Sequence, residues 1–322
     1  MSLPPLPAAP GEPEIALLLH RLRCYFLATR PAFLSATLVA VLLGLAGAHA
    51  DGVALQPVPA VLTLLFALVA HAAANVLNDY YDALNGTDAA NVERVFPYTG
   101  GSRFIQNGVL SLRQTAWFGG LLLLSLVPAG LWLATRAGAS LLWTGALGML
   151  VIWAYSAPPL KLVSRGLGEG AVAVGWLVVI LGADQIQRGQ LAFMPLVCGM
   201  SYALLLASLL YINQFPDRRA DEAAGKRTLV VRLGAQRARW GYLLLVLGAH
   251  GGLLTALLLE MLPAATAVAL LTLPLQLRAA YGLWQHAAAP GQLTPAIRLT
   301  IAGLLLHGLL LAGALSLQGG RT

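Results

Sequence analysis

Charge is what this chain lacks, and that lack limits its fold more than any motif does. Only 10% of its 322 residues are Asp, Glu, Lys or Arg, while 58% are hydrophobic. A soluble domain carries roughly 25% charged residues. So few charges cannot cover a water-facing surface, and lipid must be the main solvent. The charges that exist bound long apolar runs: Arg30 to Asp51, Asp51 to Asp79, Arg113 to Arg136, Arg136 to Lys161, Arg188 to Asp217, Arg239 to Glu260, Glu260 to Arg278 and Arg298 to Arg321. A ninth, Arg165 to Arg188, carries Glu169 and Asp184 near its two ends. A helix crossing roughly 30 Å of hydrocarbon needs about 20 apolar residues. The expected fold is all-α, a polytopic bundle of nine transmembrane helices. Its seventh and eighth helices form a tight hairpin across Glu260–Pro263.

This segmentation sorts the cations. Of the 20 Lys and Arg residues, 17 fall on one side of the membrane and three, Arg136, Arg188 and Arg321, on the other. By the positive-inside rule the rich side is cytoplasmic. The expectation is a multi-pass protein of the cell (inner) membrane, N-terminus in and C-terminus out. The net charge of +7 is mostly this topological bias, and no nucleic-acid motif accompanies it. Residues 1–20 are Pro-rich and lack the basic start and short apolar core of a cleavable signal. They read as a flexible cytoplasmic tail, and residues 21–322 as one transmembrane domain. Cys24 and Cys198 form no CxxC pair and read as small core residues.

The carboxylates are unevenly placed. Seven of the 13 acidic residues lie in two stretches, both on the expected cytoplasmic side: Asp79, Asp82, Asp88 and Glu93, then Asp217, Asp221 and Glu222. A charge at bilayer depth costs at least about 2.5–3.5 kcal/mol, so these groups belong at helix ends that open into a wet cavity. In the first stretch Asn75, Asn78, Asp79 and Asp82 share one helical face. Gly86 lets the chain turn and return Asp88 to the mouth. In the second, Asn213, Asp217 and Asp221 are spaced by four, and Pro216 is expected to kink the helix. Asn78 and Asp82 are offset by the same interval from Asn213 and Asp217, which hints at two related halves.

Carboxylates gathered on one face repel one another and need cations. Hard divalent ions with oxygen ligands, most naturally Mg²⁺ shared with phosphate, fit that need. Each acidic stretch is followed by a Gly-containing basic segment, Thr99-Gly100-Gly101-Ser102-Arg103 and Gly225-Lys226-Arg227-Thr228. Glycine lets backbone amides approach an anion, and the basic side chains neutralise it. Carboxylates for metal beside cations for an anion describe a pyrophosphate site. Tyr155 and Lys161 add a phenol and an ammonium from a third segment on the same side.

These residues resemble the UbiA superfamily of intramembrane prenyltransferases. Its NDxxD motif with a further Asp is matched by Asn78, Asp79, Asp82 and Asp88, its second Asp motif by Asp217 and Asp221, and its Tyr–Pro–Lys segment by Tyr155 to Lys161. Within the superfamily the pattern is most similar to the MenA-type 1,4-dihydroxy-2-naphthoate polyprenyltransferases, although Gln214-Phe215-Pro216 departs from it. The resemblance implies a nine-helix UbiA-type bundle and a Mg²⁺-dependent prenyltransferase. The metal would be held by Asp79, Asp82, Asp88, Asp217 and Asp221. Asp82, Asp217, Lys161 and Tyr155 would have catalytic roles, and Asn75, Asn78, Arg103, Asn213, Lys226 and Arg227 would bind substrate. The implied partners are a polyprenyl diphosphate, an aromatic acceptor leading to menaquinone, and membrane lipid.

Two alternatives stay open on sequence. One is a transferase of the same type with a hydroxybenzoate, homogentisate or glycerophosphate acceptor. The other is a cation-coupled transporter, although transporter ion sites lie near the midplane on broken helices and here the acids cluster at one face. Asp184, Gln185 and Gln187 are expected to meet the interface at the outer end of the fifth helix. Glu169 is expected near the cavity end of that helix, and His71 one turn before Asn75 is expected to pack against a neighbour or line the acceptor pocket.

Overall fold

The computed structural model describes residues 10–14 and 20–318, and among these it contains helices and no strand. In chain order the α-helices are α1 (Arg21–Ala28), α2 (Ser35–Ala50), α3 (Pro57–Asn85), α4 (Thr87–Ala90), α5 (Leu112–Ala137), α6 (Ser140–Ser156), α7 (Gly168–Arg188), α8 (Phe193–Ala223), α9 (Leu229–Leu233), α10 (Ala235–Leu258), α11 (Leu273–His286) and α12 (Thr294–Ser316). Among the described residues eight helical segments are long and apolar enough to cross a membrane. The fourth expected span is α6, an apolar helix of 17 residues that falls short of that length. The eighth is a 3₁₀ segment, Ala264–Thr272, running into α11. It lies across the Glu260–Pro263 turn from α10 and packs on it, as the expected hairpin requires. Expectations for residues 1–9, 15–19 and 319–322, including the outward C-terminus, lie outside the described residues.

α8 is the spine of the bundle: 61% of its apolar window is buried, against 17% for α5 on the rim. α7 and α10 pack along α8, and α2 packs against both α7 and α12. Apolar side chains gain little over lipid tails in such contacts, so small residues that let backbones approach do much of the work. A β-carbon on Gly44 would lie 2.3 Å from the Ile180 carbonyl oxygen, and one on Gly308 would lie 2.3 Å from Val39 Cγ1. Polar residues inside the bundle satisfy one another. Ser201, His307, Thr272 and His250 form one hydrogen-bonded chain linking α8, α12 and the eighth span to α10.

Two helix lengths explain where the acidic motifs stand. α3 has 29 residues and α8 has 31, about 43 and 46 Å at 1.5 Å per residue, well beyond a hydrocarbon core of about 30 Å. Each is long enough for its C-terminal turns, which carry the motifs, to stand beyond an apolar layer of that thickness. α3 begins with Pro57, whose fixed φ suits a first helical position, and ends at Gly86 in the left-handed region, φ 82°. That turn reverses the chain into α4 and returns Asp88 toward Asp79 and Asp82. α8 continues through Pro216 as one helix.

Two expectations about surroundings are corrected. Asp184, Gln185 and Gln187 do not merely meet an interface: all three are buried. Arg188 Nη2 lies 2.8 Å from Asp184 and 2.7 Å from Asp51, while Gln185 bonds Thr144 and Ser140. Within the segment read as a flexible tail, Glu12 is buried and pairs with Arg94.

Candidate active site

The ends of α3 and α8 open into one cavity of about 570 Å³. Its mouth is lined by Asn75, Asn78, Asp82, Asp88, Asn213, Asp217, Asp221 and Lys226, with Tyr155 just inside. Its body runs between α3, α5, α6 and α7 and is apolar, lined by residues such as Phe66, Leu133, Leu141, Ile152, Trp176 and Ile186. A polar mouth on a long apolar body is the shape needed by a ligand with a charged head and a hydrocarbon tail.

The two motifs meet through Lys226. Its Nζ lies 2.6 Å from Asp82 Oδ1 and 3.3 Å from Asp221 Oδ1. Burial works against the ammonium charge, but Asp82 and Asp221 hold its pKa above the ordinary lysine value. Asp82 also accepts from Asn78 at 3.1 Å and from Asn85 at 3.2 Å. Asn91 Nδ2 donates to Asp217 Oδ1 at 2.6 Å. Asn75 Nδ2 donates to the Thr29 carbonyl, which fixes the entry to the first span against α3.

Asp79 and Asp88 converge on Gly101. A β-carbon there would sit 2.5 Å from Asp88 Oδ2 and 3.1 Å from Asp79 Oδ1, so only glycine, here at φ 72°, fits between the carboxylates. Ser102 N donates to Asp79 Oδ2 at 3.1 Å, while Asp79 Oδ1 is buried with no hydrogen-bond partner among the described residues. Asn213 Oδ1 is likewise buried and unpartnered. The pKa of Asp88 is raised well above the usual carboxylate range, first by burial and then by repulsion from Asp82 and Asp79. Five carboxylates thus gather against two cavity-lining cations, Arg30 and Lys226. Among the described residues no three side chains converge to cage an ion by themselves. The orphaned oxygens and the surplus negative charge fit divalent ions whose remaining ligands come from a phosphate-bearing substrate.

The cations are distributed differently from the sequence expectation. Lys161 and Arg227 are exposed and do not line the cavity. Lys161 lies past the end of α6, beyond the Pro158-Pro159 turn. Arg227 follows Lys226 in a non-helical segment, where Lys226 is buried at the cavity and Arg227 is exposed. Arg103 is buried but stands behind Asp88, donating from Nη1 to its backbone carbonyl. Arg30 was not anticipated. It lines the cavity in a left-handed conformation, φ 58°, and its Nε is buried without a hydrogen-bond partner among the described residues. Asn91 was also missed, because an isolated Asn three residues past Asp88 carries no spacing signal. His71 lines the cavity while bonded to Thr37 at 2.8 Å. Glu169 does not line it: its Oε1 accepts from Gln214 Nε2 at 2.6 Å. Gln214 lies at the departure from the expected motif, and its second role is to receive the Val230 amide of α9.

Comparison with known proteins agrees with this geometry. Residues 33–294 match the model of the UbiA prenyltransferase family. The chain is 32% identical over 264 residues to 1,4-dihydroxy-2-naphthoate octaprenyltransferase of Mycobacterium leprae, covering 82% of this chain and 86% of that protein. It is 28% identical to UbiA prenyltransferase domain-containing protein 1 of Xenopus tropicalis, with 78% and 71% covered. Among solved structures, a UbiA homolog from Archaeoglobus fulgidus bound to DMAPP and Mg²⁺ shares the fold. The TM-score is 0.62 at 16% identity, with 90% of this chain and 99% of that chain covered.

Proposed function

The chain belongs to the UbiA prenyltransferase family, and from that premise we propose that it transfers a polyprenyl group from a polyprenyl diphosphate to 1,4-dihydroxy-2-naphthoate, in a Mg²⁺-dependent reaction of menaquinone biosynthesis. That it is a membrane prenyltransferase follows from the family; the acceptor, the metal and the residue roles are the proposal. The observation that carries it is the union of both Asp motifs at the mouth of one apolar-bodied cavity. The M. leprae relative's naphthoate acceptor supports the choice of acceptor.

In this reading Asp79, Asp82, Asp88, Asp217 and Asp221 hold Mg²⁺, with Asn78 and Asn213 beside them. When bound, the ion supplies Lewis-acid neutralisation of the departing diphosphate. Lys226 adds a cation at the junction of the motifs. The allylic C–O bond breaks with its electron pair going to the diphosphate, and the apolar walls keep water from the cation left on the prenyl carbon. The ring carbon of the acceptor that bears the carboxylate then forms the new C–C bond, and its C–CO₂ bond breaks, releasing CO₂ and returning the electron pair to restore the aromatic ring. Arg30, a cavity cation without a hydrogen-bond partner on Nε, suits the acceptor carboxylate. Asn75 fixes the wall beside it, and Tyr155 closes the inner mouth. Arg103 acts from behind Asp88. Lys161 and Arg227, being exposed, keep only a role in drawing the anionic donor toward the mouth. The excess of cations on the motif-bearing side supports a cytoplasmic active site in the cell membrane.

The test is a membrane assay with labelled prenyl diphosphate, Mg²⁺ and a panel of naphthoate, hydroxybenzoate, homogentisate and glycerophosphate acceptors. Product only with the naphthoate is expected. Product with another acceptor alone would overturn the acceptor while leaving the transfer.

A further inference from the structure

Residues 10–14 lie against the segment that follows the first motif, and Glu12 is their buried anchor. Its Oε1 accepts from Arg94 Nε at 2.5 Å and lies 3.8 Å from Arg103 Nε. Its Oε2 accepts from Asn107 Nδ2 at 3.2 Å, and the same Asn107 donates to the Pro13 carbonyl at 3.0 Å. Arg94 and Arg103 bracket the Gly100-Gly101 turn, and each guanidinium passes the contact on. Arg94 Nη1 donates to the Asn91 carbonyl at 2.9 Å, and the Asn91 side chain holds Asp217. Arg103 Nη1 donates to the Asp88 carbonyl. One carboxylate from the N-terminal segment is therefore connected, by two arms, to both acidic motifs.

Arg94 and Arg103 are like charges buried side by side, and Glu12 is the anion between them. Removing one partner of a buried charged cluster leaves an uncompensated charge. Here two guanidiniums would repel across a turn that must stay closed for Gly101 to fit between Asp79 and Asp88.

We propose that Glu12 is a positioning residue for the transfer reaction: by clamping Arg94 and Arg103 it sets Asp88, Asn91 and the Gly101-Ser102 backbone in the arrangement that receives a metal-bound diphosphate. This rests on the function proposed above. Glu12 does not line the cavity and touches no substrate. Its loss lowers the population of the competent arrangement, and apparent affinity falls by that fraction. Chemistry after binding keeps its rate.

The experiment uses the full chain in lipid nanodiscs, with Glu12→Gln (same shape, no charge), Glu12→Asp (charge kept) and Asn107→Ala, which loosens Glu12 without leaving an unpaired charge. The donor KM is expected to rise on the order of tenfold in Glu12→Gln and a few-fold in Asn107→Ala, with Glu12→Asp between wild type and Glu12→Gln. At saturating donor and Mg²⁺, kcat and the acceptor KM should stay within about twofold. A second readout is independent of turnover: the rise in unfolding midpoint caused by Mg²⁺ with inorganic pyrophosphate should shrink in the same order. Adding Arg94→Gln to Glu12→Gln should change the donor KM by less than the product of the two single changes, because the two residues share the Glu12–Arg94 contact. An unchanged donor KM, or equal changes in donor KM, acceptor KM and kcat, overturns the inference. If the wild type turns over no prenyl diphosphate, the proposed function fails and the pyrophosphate shift still decides Glu12. A wild type with neither turnover nor shift refutes both.

Discussion

Lys226 Nζ lies 2.6 Å from Asp82 Oδ1, joining the segment after α8 to the last turns of α3. The contact closes the mouth of the cavity with a single buried ammonium among carboxylates from both motifs. A cation in that position does two things. It relieves repulsion between Asp82 and Asp221, and under the proposed function it would face the diphosphate of the bound donor.

Replacing it tests the second role. Lys226→Gln should raise the donor KM by on the order of tenfold, a loss of about 1.4 kcal/mol, with the acceptor KM little changed. Steady-state kinetics with each substrate varied separately give the answer. An unaltered donor KM would confine Lys226 to holding the two helices together.

Asp82→Asn and Asp217→Asn keep shape but remove one negative charge each. If these carboxylates hold Mg²⁺ against a diphosphate, each variant should lose on the order of 10²-fold or more in rate, because metal stabilisation of departing charge is worth several kcal/mol. EDTA should abolish wild-type activity and added Mg²⁺ restore it. Initial rates against Mg²⁺ at equal membrane levels are the measurement, and wild-type rates in either variant would remove the metal role from that carboxylate.

The helices and the motif faces were legible because local rules govern them. Uncharged runs mark the spans, Gly86 marks the end of α3, and four-residue spacing puts Asn213, Asp217 and Asp221 on one face of α8. What sequence hid depends on partners far along the chain. Glu12 fell in a segment read as a flexible tail because its partner Arg94 is 82 residues away. Lys226 and Arg227 are neighbours in sequence, and only the fold decides which faces the cavity. Arg30 looked like a boundary charge until its left-handed backbone turned it inward.

Sidedness rests on the cation imbalance, and reporters can check it. One inserted near Ala223, after α8, should report the cytoplasmic side, and one near Gln190, before α8, the opposite side. The same signal at both positions would mean that α8 does not cross.

Asp184 separates structure from catalysis. The charge pattern placed it at the end of α7 away from the motifs, and it is indeed remote from the acidic cluster, but it is buried and paired. Arg188 holds it with two nitrogens, Nε at 2.9 Å and Nη2 at 2.8 Å, while also reaching Asp51. Asp184→Asn keeps the shape and one acceptor oxygen but deletes the charge that Arg188 faces. Asp51, 40% exposed at its side chain, remains to compensate in part. A hydrogen bond to a charged group contributes about 1.5–3 kcal/mol, and the surviving partner should hold the loss toward the low end of that range. The expected result is a lower unfolding midpoint in nanodiscs with an initial rate within a few-fold of wild type, measured well below that midpoint. Asp51→Asn should cost less stability, since its carboxylate is already partly solvated. A loss of rate in Asp184→Asn comparable to Asp82→Asn, at full folding, would mean that the end of α7 reports to the acidic cluster along the cavity that Ala183 and Ile186 line. The deep apolar wall would then set catalysis as well as hold the tail.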